Sequence, residues 1–393
     1  MELNLISDRV VQGKLYPAGA MWQAQPYTQA WREFGAHWPH TVPFALHEHC
    51  ATHGVRCNLY SVDQKFPTNS YYAIGIEFFN FGIDYFEIIP NNISECLKRN
   101  SVKVLFYYDE GDNPHAIRNY LDSLCVRHHL PLDCYRFVSA NTASKNIHKF
   151  FYFPCDELLY WDRNKSVAAL RTHNQPRERE FTALNRLHKS WRATAMADLL
   201  QHHVLDNSYW SYCETGSLVD EENPIEIDSL GQLRSATEQF LKSAPYLSDD
   251  LDQLARNDHA KLVGKYFTDS YCHIVLETHF DADQSGGAFL TEKTFKPIKH
   301  GQMFFVAGPP GSLQQLRDLG YRTFDDILDN SYDAESNNTQ RWIKLRNAIV
   351  QAQADLPVLH ARALADIEHN QRLFLEPKTA RVNILLEHIN ESY

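Results

Sequence analysis

The sequence predicts an α/β protein of two domains, each built on a parallel sheet that helices cover. The chain has 393 residues, which is more than one typical hydrophobic core accommodates. Strand patterns alternate with helical patterns in both halves, and this order at this spacing indicates parallel pairing. The polar stretch RTHNQPRERE, residues 171–180, separates the two series. We expect an N-terminal domain over residues 1–165, a linker over 166–180, a second domain over 181–356 and C-terminal helices over 357–393.

The first half contains several strand patterns and one long helical pattern. The mostly apolar run SVKVLFYY, residues 101–108, lies between Asn100 and the acidic turn DEGD, residues 109–112. From Pro114 to His129, apolar residues recur at helical spacing, which predicts a helix after that turn. Further strand patterns, rich in β-branched and aromatic residues, cover residues 56–62, 71–81, 134–138 and 150–153.

The second half repeats this alternation. The run CHIVLET, residues 272–278, predicts a central buried strand, and MFFVA, residues 303–307, predicts another. Two further strand patterns cover residues 181–185 and 209–213. Helical patterns cover residues 191–203, 230–242, 339–352, 358–374 and 378–389.

Composition limits the function classes. The formal net charge is −11 at pH 7, which argues against a broad nucleic-acid-binding surface but permits a local basic groove. No run of about 18 apolar residues occurs, so we expect no membrane span. The opening residues lack a basic and apolar leader, and the eight cysteines are scattered without a Cys-x-x-Cys pair. These features predict a cytoplasmic protein with reduced thiols.

The segment AFLTEKTFKPIKHGQMFFVAGPPG, residues 288–311, is the most informative part of the chain. Thr291 can cap a helix start, with Glu292 and Lys293 in the first turn and Gly301 at the end. A helix start attracts phosphate, and a lysine there adds a mobile positive charge. A glutamate in the same turn can accept hydrogen bonds from ribose hydroxyls. A surface Glu-Lys pair alone would mean little, but the cap and the Gly-Pro-Pro-Gly turn favour a nucleoside diphosphate site.

The same residues resemble the donor-site motif of GT-B glycosyltransferases. Phe289–Ile298, Gly301 and Gly308–Gly311 are similar in pattern to the α1,3-fucosyltransferase-like enzymes and their phage and bacterial relatives. Residues 313–333, which end in Ser-Tyr-Asp, also resemble that group. The resemblance covers roughly the second half of the chain.

The resemblance implies a GT-B-like fold, with two Rossmann-like domains, a cleft between them and a helical tail that packs on the N-terminal domain. It also implies an activity. A sugar would pass from a nucleoside-diphosphate sugar, bound by the second domain, to an acceptor hydroxyl on the N-terminal domain. The diphosphate would need no metal, because helix N-termini and basic side chains replace it.

Basic residues follow the predicted strand at residues 181–185, where open α/β sheets bind ligands. The departing diphosphate gains negative charge, which positive side chains stabilise. Arg186, Lys189 and Arg192 lie at this position, with His188 among them. The resemblance assigns Arg186 and Arg192 to phosphates, with Lys189 as a substitute. The alternative is a solvated basic helix face.

Three acidic residues are candidates for catalysis. Glu277 ends the apolar run CHIVLE, and a carboxylate there needs partners; the resemblance places it near the donor sugar or ribose. Inverting transfer needs a base, which a GT-B enzyme takes from its N-terminal domain. Glu110 is our first candidate for that base and Asp109 the second. The alternative is a solvated acidic turn that caps the following helix.

We predict no metal site. His49 and His53 stand four residues apart and could share a metal, but the segment from His47 to Cys57 matches no closed zinc pattern. Asp281-Ala-Asp283 has the letters of a metal motif, yet it lies in a glycine-rich loop. We expect that loop to be flexible and to close over the donor.

Two alternative functions stay open from the sequence. One is a phage-type DNA glycosyltransferase that acts on a modified, hydroxylated base after the nucleotide is exposed. A basic edge for it could comprise Lys145, Lys149, Arg163, Lys165 and Arg171. The other is a nucleotide-sugar-binding protein without catalysis. The sugar, the nucleotide, the acceptor (a glycan, a small molecule or DNA) and the stereochemical outcome are left open.

Overall fold

The computed structural model of the protein describes residues 2–6, 10–11, 14–15, 50, 54, 56–76, 79–108, 110–158, 175–219, 222–247 and 264–391. The chain divides into two compact units. The first comprises Met1–Leu159 and Pro377–Tyr393, and the second comprises Tyr160–Glu376. Each unit contains its own parallel sheet, so the predicted α/β class with two Rossmann-like units is confirmed. The finer assignment to the GT-B architecture stays a prediction.

The first unit is built on a parallel sheet of six described strands. They pair in the order β4-β1-β5-β6-β7-β8, while β2 and β3 form a separate short antiparallel pair. The strands are β1 (Glu2–Ile6), β2 (Val10–Val11), β3 (Lys14–Leu15), β4 (Arg56–Tyr60), β5 (Ser70–Ile76), β6 (Val102–Tyr108), β7 (Tyr135–Ser139) and β8 (Phe150–Tyr152). Helices α1 (Asn91–Lys98) and α2 (Pro114–Arg127) and the 3₁₀ turn Thr142–Asn146 connect them. Strands β5, β6 and β7 are buried along their whole length, as in parallel sheets covered on both faces.

The second unit is built on a parallel sheet of four described strands, in the order β10-β9-β11-β12. The strands are β9 (Arg179–Asn185), β10 (Tyr209–Tyr212), β11 (Ser270–Leu276) and β12 (Met303–Ala307). The helices are α3 (Ser190–Gln201), α4 (Leu233–Ser243), α5 (Gly264–Thr268), α6 (Ala282–Ser285), α7 (Glu292–His300), α8 (Ser312–Asp318), α9 (Asn338–Gln353) and α10 (Leu356–Leu375). The strand order reverses between β9 and β11, which makes this point the topological switch where α/β sheets bind ligands.

The last helix, α11 (Thr379–Glu391), belongs to the first unit, whereas α10 belongs to the second. The Tyr71 hydroxyl donates to the Ile389 carbonyl oxygen at 2.7 Å, and Lys378 Nζ lies 3.4 Å from the buried Glu157 carboxylate. The first contact joins α11 to β5, and the second joins the residue before α11 to the segment after β8. Most of the predicted linker lies outside the described residues, and β9 begins at Arg179, inside the predicted linker range.

Among the residues that the structure describes, every helix is too short or too polar to span a bilayer.

Candidate functional site

Several predicted site residues meet at the carboxyl edge of the second sheet. Strands β9 and β11 are parallel neighbours, so Arg186 and Glu277, which directly follow them, leave the sheet at the same edge. Helix α7 begins at that edge as well, because Thr291 bonds to Glu277. The site therefore lies at the switch point of the sheet.

The carboxylate of Glu277 is fully buried and accepts hydrogen bonds from three neighbouring residues. Its Oε1 accepts from the Thr291 backbone N–H at 3.1 Å and from the Thr294 hydroxyl at 2.6 Å. Its Oε2 accepts from the Thr291 hydroxyl at 2.6 Å and from the Thr278 backbone N–H at 3.3 Å. This set of donors offsets the cost of burying the charge. Glu277 thus joins the end of β11 to the first turn of α7.

The guanidinium of Arg192 is buried beside the same residue. Its Nε and Nη2 both donate to the carbonyl oxygen of Glu277, the Nε at 3.2 Å. Its guanidinium carbon also lies 5.6 Å from the centre of the Trp191 ring. Only 3% of Arg192 is exposed, so in this arrangement its bonds go to the protein.

Helix α7 begins as the sequence predicts. Thr291 is its N-cap, and the hydroxyl accepts from the Lys293 backbone N–H at 3.3 Å. Gly301 ends the helix in the left-handed conformation, with φ of 68°, which glycine adopts without strain. The internal Pro297 removes one N–H donor from a helix of nine residues.

Lys293 and Glu292 occupy the first turn of that helix. The Lys293 ammonium lies 3.0 Å from the Thr291 hydroxyl and 3.3 Å from the Thr278 hydroxyl. Glu292 has one carboxylate oxygen 3.2 Å from the Lys296 ammonium and the other 3.6 Å from that of Lys293. The Lys293 side chain is 28% exposed, so a ligand in solvent can reach it.

Arg186 and Lys189 lie in the loop between β9 and α3, at the same carboxyl edge of the sheet as Glu277. Arg186 is exposed, and Lys189 is half-buried at the N-cap position of α3. The backbone N–H of Lys189 donates to the Tyr212 hydroxyl at 3.4 Å. The loop is therefore joined to the end of β10.

His188 is a residue whose role sequence reasoning missed, since it was counted only as positive charge. Its Nδ1 lies 2.7 Å from the Tyr212 hydroxyl, and its Nε2 lies 3.1 Å from the Ser217 carbonyl oxygen. Its backbone N–H donates to the Glu214 carboxylate at 3.1 Å. Gly216 lies against the ring: a Cβ on it would be 2.2 Å from the His188 Cδ2. Together these contacts of His188 fix the loop between Arg186 and Lys189.

The Gly-Pro-Pro-Gly turn is fixed by residues further along the chain. Asp333 accepts from the Leu313 backbone N–H at 2.8 Å and from that of Gln314 at 3.0 Å. Its carbonyl oxygen accepts from the Gly311 N–H at 2.9 Å. Burial raises the pKa of Asp333, and these hydrogen bonds oppose that rise. The Ser331-Tyr332-Asp333 motif thus supports the turn that follows β12.

The candidate base lies in the first unit. Glu110 is half-buried in the bend after β6, and Asp109 lies outside the described residues. The Tyr108 hydroxyl donates to the Asp112 carboxylate, and burial raises the pKa of Tyr108 well above its usual value. Asn141, which is fully buried, donates from Nδ2 to the Gly111 carbonyl oxygen at 2.8 Å. Gly111 and Asp112 are therefore held by a residue at the end of β6 and by one that follows β7.

The described residues contain no group of three His, Cys, Asp or Glu side chains that could bind a metal. His47, His49 and His53 lie outside the described residues. Asp281 Oδ1 accepts from the Asn338 amide at 3.0 Å and from the backbone N–H of Asp283 at 2.9 Å. Asp283 lies in the short helix α6, so this part of the predicted loop is helical.

One of the five residues suggested for a basic, DNA-binding edge is buried in the structure. Lys149 is 9% exposed, and its ammonium lies 2.6 Å from the Asp122 carboxylate. Its assignment to an accessible basic edge was wrong, because this buried pairing withdraws the charge from solvent. Lys145 is exposed and lies over the Tyr152 ring at 4.8 Å. Arg163, Lys165 and Arg171 lie outside the described residues.

No protein-family model, curated protein or solved structure matches this chain.

Proposed function

We propose that the protein is a glycosyltransferase that moves a sugar from a nucleoside-diphosphate sugar to an acceptor hydroxyl. The observation that carries the proposal is the placement of the capped, lysine-bearing start of α7 at the switch point between β9 and β11. The fucosyltransferase-like motif in the sequence coincides with this position. Fold class alone would not favour one chemistry over another.

The diphosphate would bind at the start of α7. The first turn of a helix carries a partial positive charge, and Lys293 adds a full one. The Lys293 ammonium contacts the neutral hydroxyls of Thr291 and Thr278, which position it without cancelling its charge. Its pairing with Glu292 is looser, at 3.6 Å, so an anionic ligand can compete for the ammonium.

The ribose and the leaving group would use the neighbouring residues. Glu292 is 14% exposed, and its carboxylate can accept from two ribose hydroxyls while Lys296 balances its charge. Arg186 and Lys189, in the loop after β9, would stabilise charge on the departing diphosphate. Glu277 and Arg192 would not contact the ligand but would hold the starts of α7 and α3 in place, since their polar groups bond to the protein.

Glu110 in the first unit would accept the proton of the acceptor hydroxyl. The cationic residues would neutralise the diphosphate, so turnover would continue in EDTA.

A thermal-shift screen tests the proposal. The melting temperature would be measured with ADP, CDP, GDP, UDP and dTDP, each beside its monophosphate, with inorganic pyrophosphate as the control for general anion binding. We expect one diphosphate to raise the melting temperature more than its monophosphate and more than pyrophosphate, by mass action. No selective shift from any nucleotide would overturn the proposal. A shift without transfer or slow hydrolysis of the matching nucleotide sugar, in EDTA, would instead indicate a binding protein.

A further inference from the structure

Arg341 in α9 is almost completely buried, with 1% of its surface exposed. Arginine has five N–H donors, and the structure provides five acceptors for them. Four of the acceptors are backbone carbonyl oxygens and one is a side-chain amide. They are Gly308 O at 3.1 Å from Nε, Glu335 O at 2.9 Å and Ser336 O at 3.3 Å from Nη1, and Phe280 O and Asn338 Oδ1 from Nη2, the last at 2.6 Å.

Two of these acceptors, Phe280 O and Gly308 O, lie on loops that flank the proposed donor site, and the other three lie at or just before the start of α9. Phe280 follows β11 and Gly308 follows β12, and the two strands are parallel neighbours with Leu276 opposite Ala307. The Phe280 ring also lies 4.3 Å from the Arg341 guanidinium and stacks on Trp191 at 4.9 Å. Arg341 is therefore connected to both loops and to the start of α3.

The loop from 281 to 290, which includes the short helix α6, is attached at both ends. Arg341 and Asn338 fix its first residues, through Phe280 O and the Asp281 carboxylate. Glu277 fixes its far end through Thr291. Between these points lies the glycine-rich segment that the sequence predicts to close over the donor.

We propose that Arg341 is a positioning residue for the donor site, which sets where the loop 281–290 stands against the bound sugar. This inference rests on the proposed function. Lysine cannot replace arginine here, because its three N–H donors share one nitrogen and cannot reach carbonyls on separate loops. Burial lowers the pKa of Arg341 to about 10, so the guanidinium stays charged at neutral pH.

The test compares Arg341→Lys with Arg346→Lys, the same substitution in the same helix. Arg346 bonds to Asp198 and Asn347 and contacts neither loop in the described hydrogen bonds. Calorimetry would measure the Kd of each variant for the nucleoside diphosphate selected by the thermal-shift screen and for its nucleotide sugar. We expect Arg341→Lys to raise the Kd for the nucleotide sugar by a factor at least five times larger than that for the bare diphosphate. A general loss of protein stability would instead weaken the binding of both ligands equally.

Equal loss for the two ligands, or no difference between the two variants, would overturn the inference and leave the proposed function intact. If the wild-type chain binds no nucleotide, both fail together. Should Arg341→Lys not fold, Asn338→Ala serves instead, since it removes one acceptor of Arg341 and the partner of Asp281. It should show the same preference with a smaller loss, and equal loss for the two ligands would again overturn the inference.

Discussion

The side chain of Arg192 donates to the backbone carbonyl oxygen of Glu277, which joins the first turn of α3 to the end of β11. The carboxylate of the same glutamate continues the connection to Thr291 at the start of α7. Two helix starts are thereby fixed at one edge of the sheet. Each start carries partial positive charge, so their convergence suits an anionic ligand.

The hydrogen bond from Thr294 to Glu277 can be removed without changing side-chain shape. Thr294→Val should lower the free energy of unfolding by about 1–3 kcal/mol, because a buried carboxylate loses one donor. Urea unfolding would measure the change. Thr237→Val is the matched control: that buried hydroxyl donates to the Leu233 carbonyl oxygen inside α4, at 2.8 Å. Equal losses in the two variants would contradict a special role for the carboxylate.

Lys293→Ala should weaken binding of the nucleoside diphosphate about tenfold or more, since a charge-assisted contact to phosphate is worth roughly 1.5–3 kcal/mol. Calorimetry with the diphosphate selected by the thermal-shift screen would measure it. Lys242→Ala, which removes an exposed lysine from the last turn of α4, is the control and should leave the affinity unchanged. Unaltered affinity in Lys293→Ala would remove this lysine from the phosphate site.

Local sequence patterns were enough to predict most elements. Strand β12 occupies the predicted residues, Met303–Ala307, and α2 begins at the predicted Pro114. Strand β1, Glu2–Ile6, was not predicted although it lies between β4 and β5. The strand is only five residues long, and its Glu and Asn are uncommon in strands, so the local signal is weak. The partner of the buried Asn4 side chain, the Asn58 amide that donates to it at 2.8 Å, lies far away in the sequence.

Contacts of the candidate site that are local in the sequence were predicted, and contacts between distant residues were missed. The Thr291 cap depends on residues one turn apart, and the need of Glu277 for partners followed from a charge at the end of an apolar strand. Arg341 reaches carbonyl oxygens 33 and 61 positions away, and His188 contacts Tyr212 24 positions away. Such pairs follow from the strand order, which no short window of sequence contains.

The packing of Gly216 against the His188 ring should not tolerate one added methyl group. In Gly216→Ala the new Cβ would lie 2.2 Å from the ring, which cannot turn aside without losing its bonds to Tyr212 and Ser217. We expect a loss of about 1–3 kcal/mol in unfolding free energy, as two hydrogen bonds are typically worth. Gly264→Ala, where the added Cβ meets nothing within 4 Å, should be neutral or slightly stabilising. Similar stability of the two variants would show that the packing around His188 does not contribute to stability.

Glu110→Gln should lower turnover on the order of 10²–10⁴-fold with little change in donor affinity, because a general base acts on the acceptor hydroxyl. Steady-state kinetics at saturating donor and calorimetry of donor binding would separate the two effects. Glu87→Gln, an exposed carboxylate of the same unit, is the control. Near-normal turnover in Glu110→Gln would exclude it as the base and direct attention to Asp109 or Asp112.

Stability should fall on acidification because of two histidines, His273, which is buried, and His300, which is partly buried. The Phe267 ring contacts both His273 and His300, with a centroid distance of 5.2 Å to each. Burial, assisted by Lys296 and Lys299, lowers the pKa of His273 to about 3 and that of His300 to about 4. Between these values and the unfolded pKa of about 6.5, the unfolded chain binds more protons than the folded one, so stability decreases as pH falls.

From pH 7 to pH 5, each of these histidines should remove roughly 1–2 kcal/mol from the free energy of unfolding. Urea unfolding at the two pH values would measure the difference. His273→Phe keeps an aromatic ring without a titrating group, so its loss between the two pH values should be smaller by one histidine's share. The control is His203→Asn: the His203 side chain is 81% exposed, and asparagine tolerates the positive φ of 59° at that position. His203→Asn should keep the wild-type pH dependence, and an equally steep loss in His273→Phe would show that His273 does not cause it.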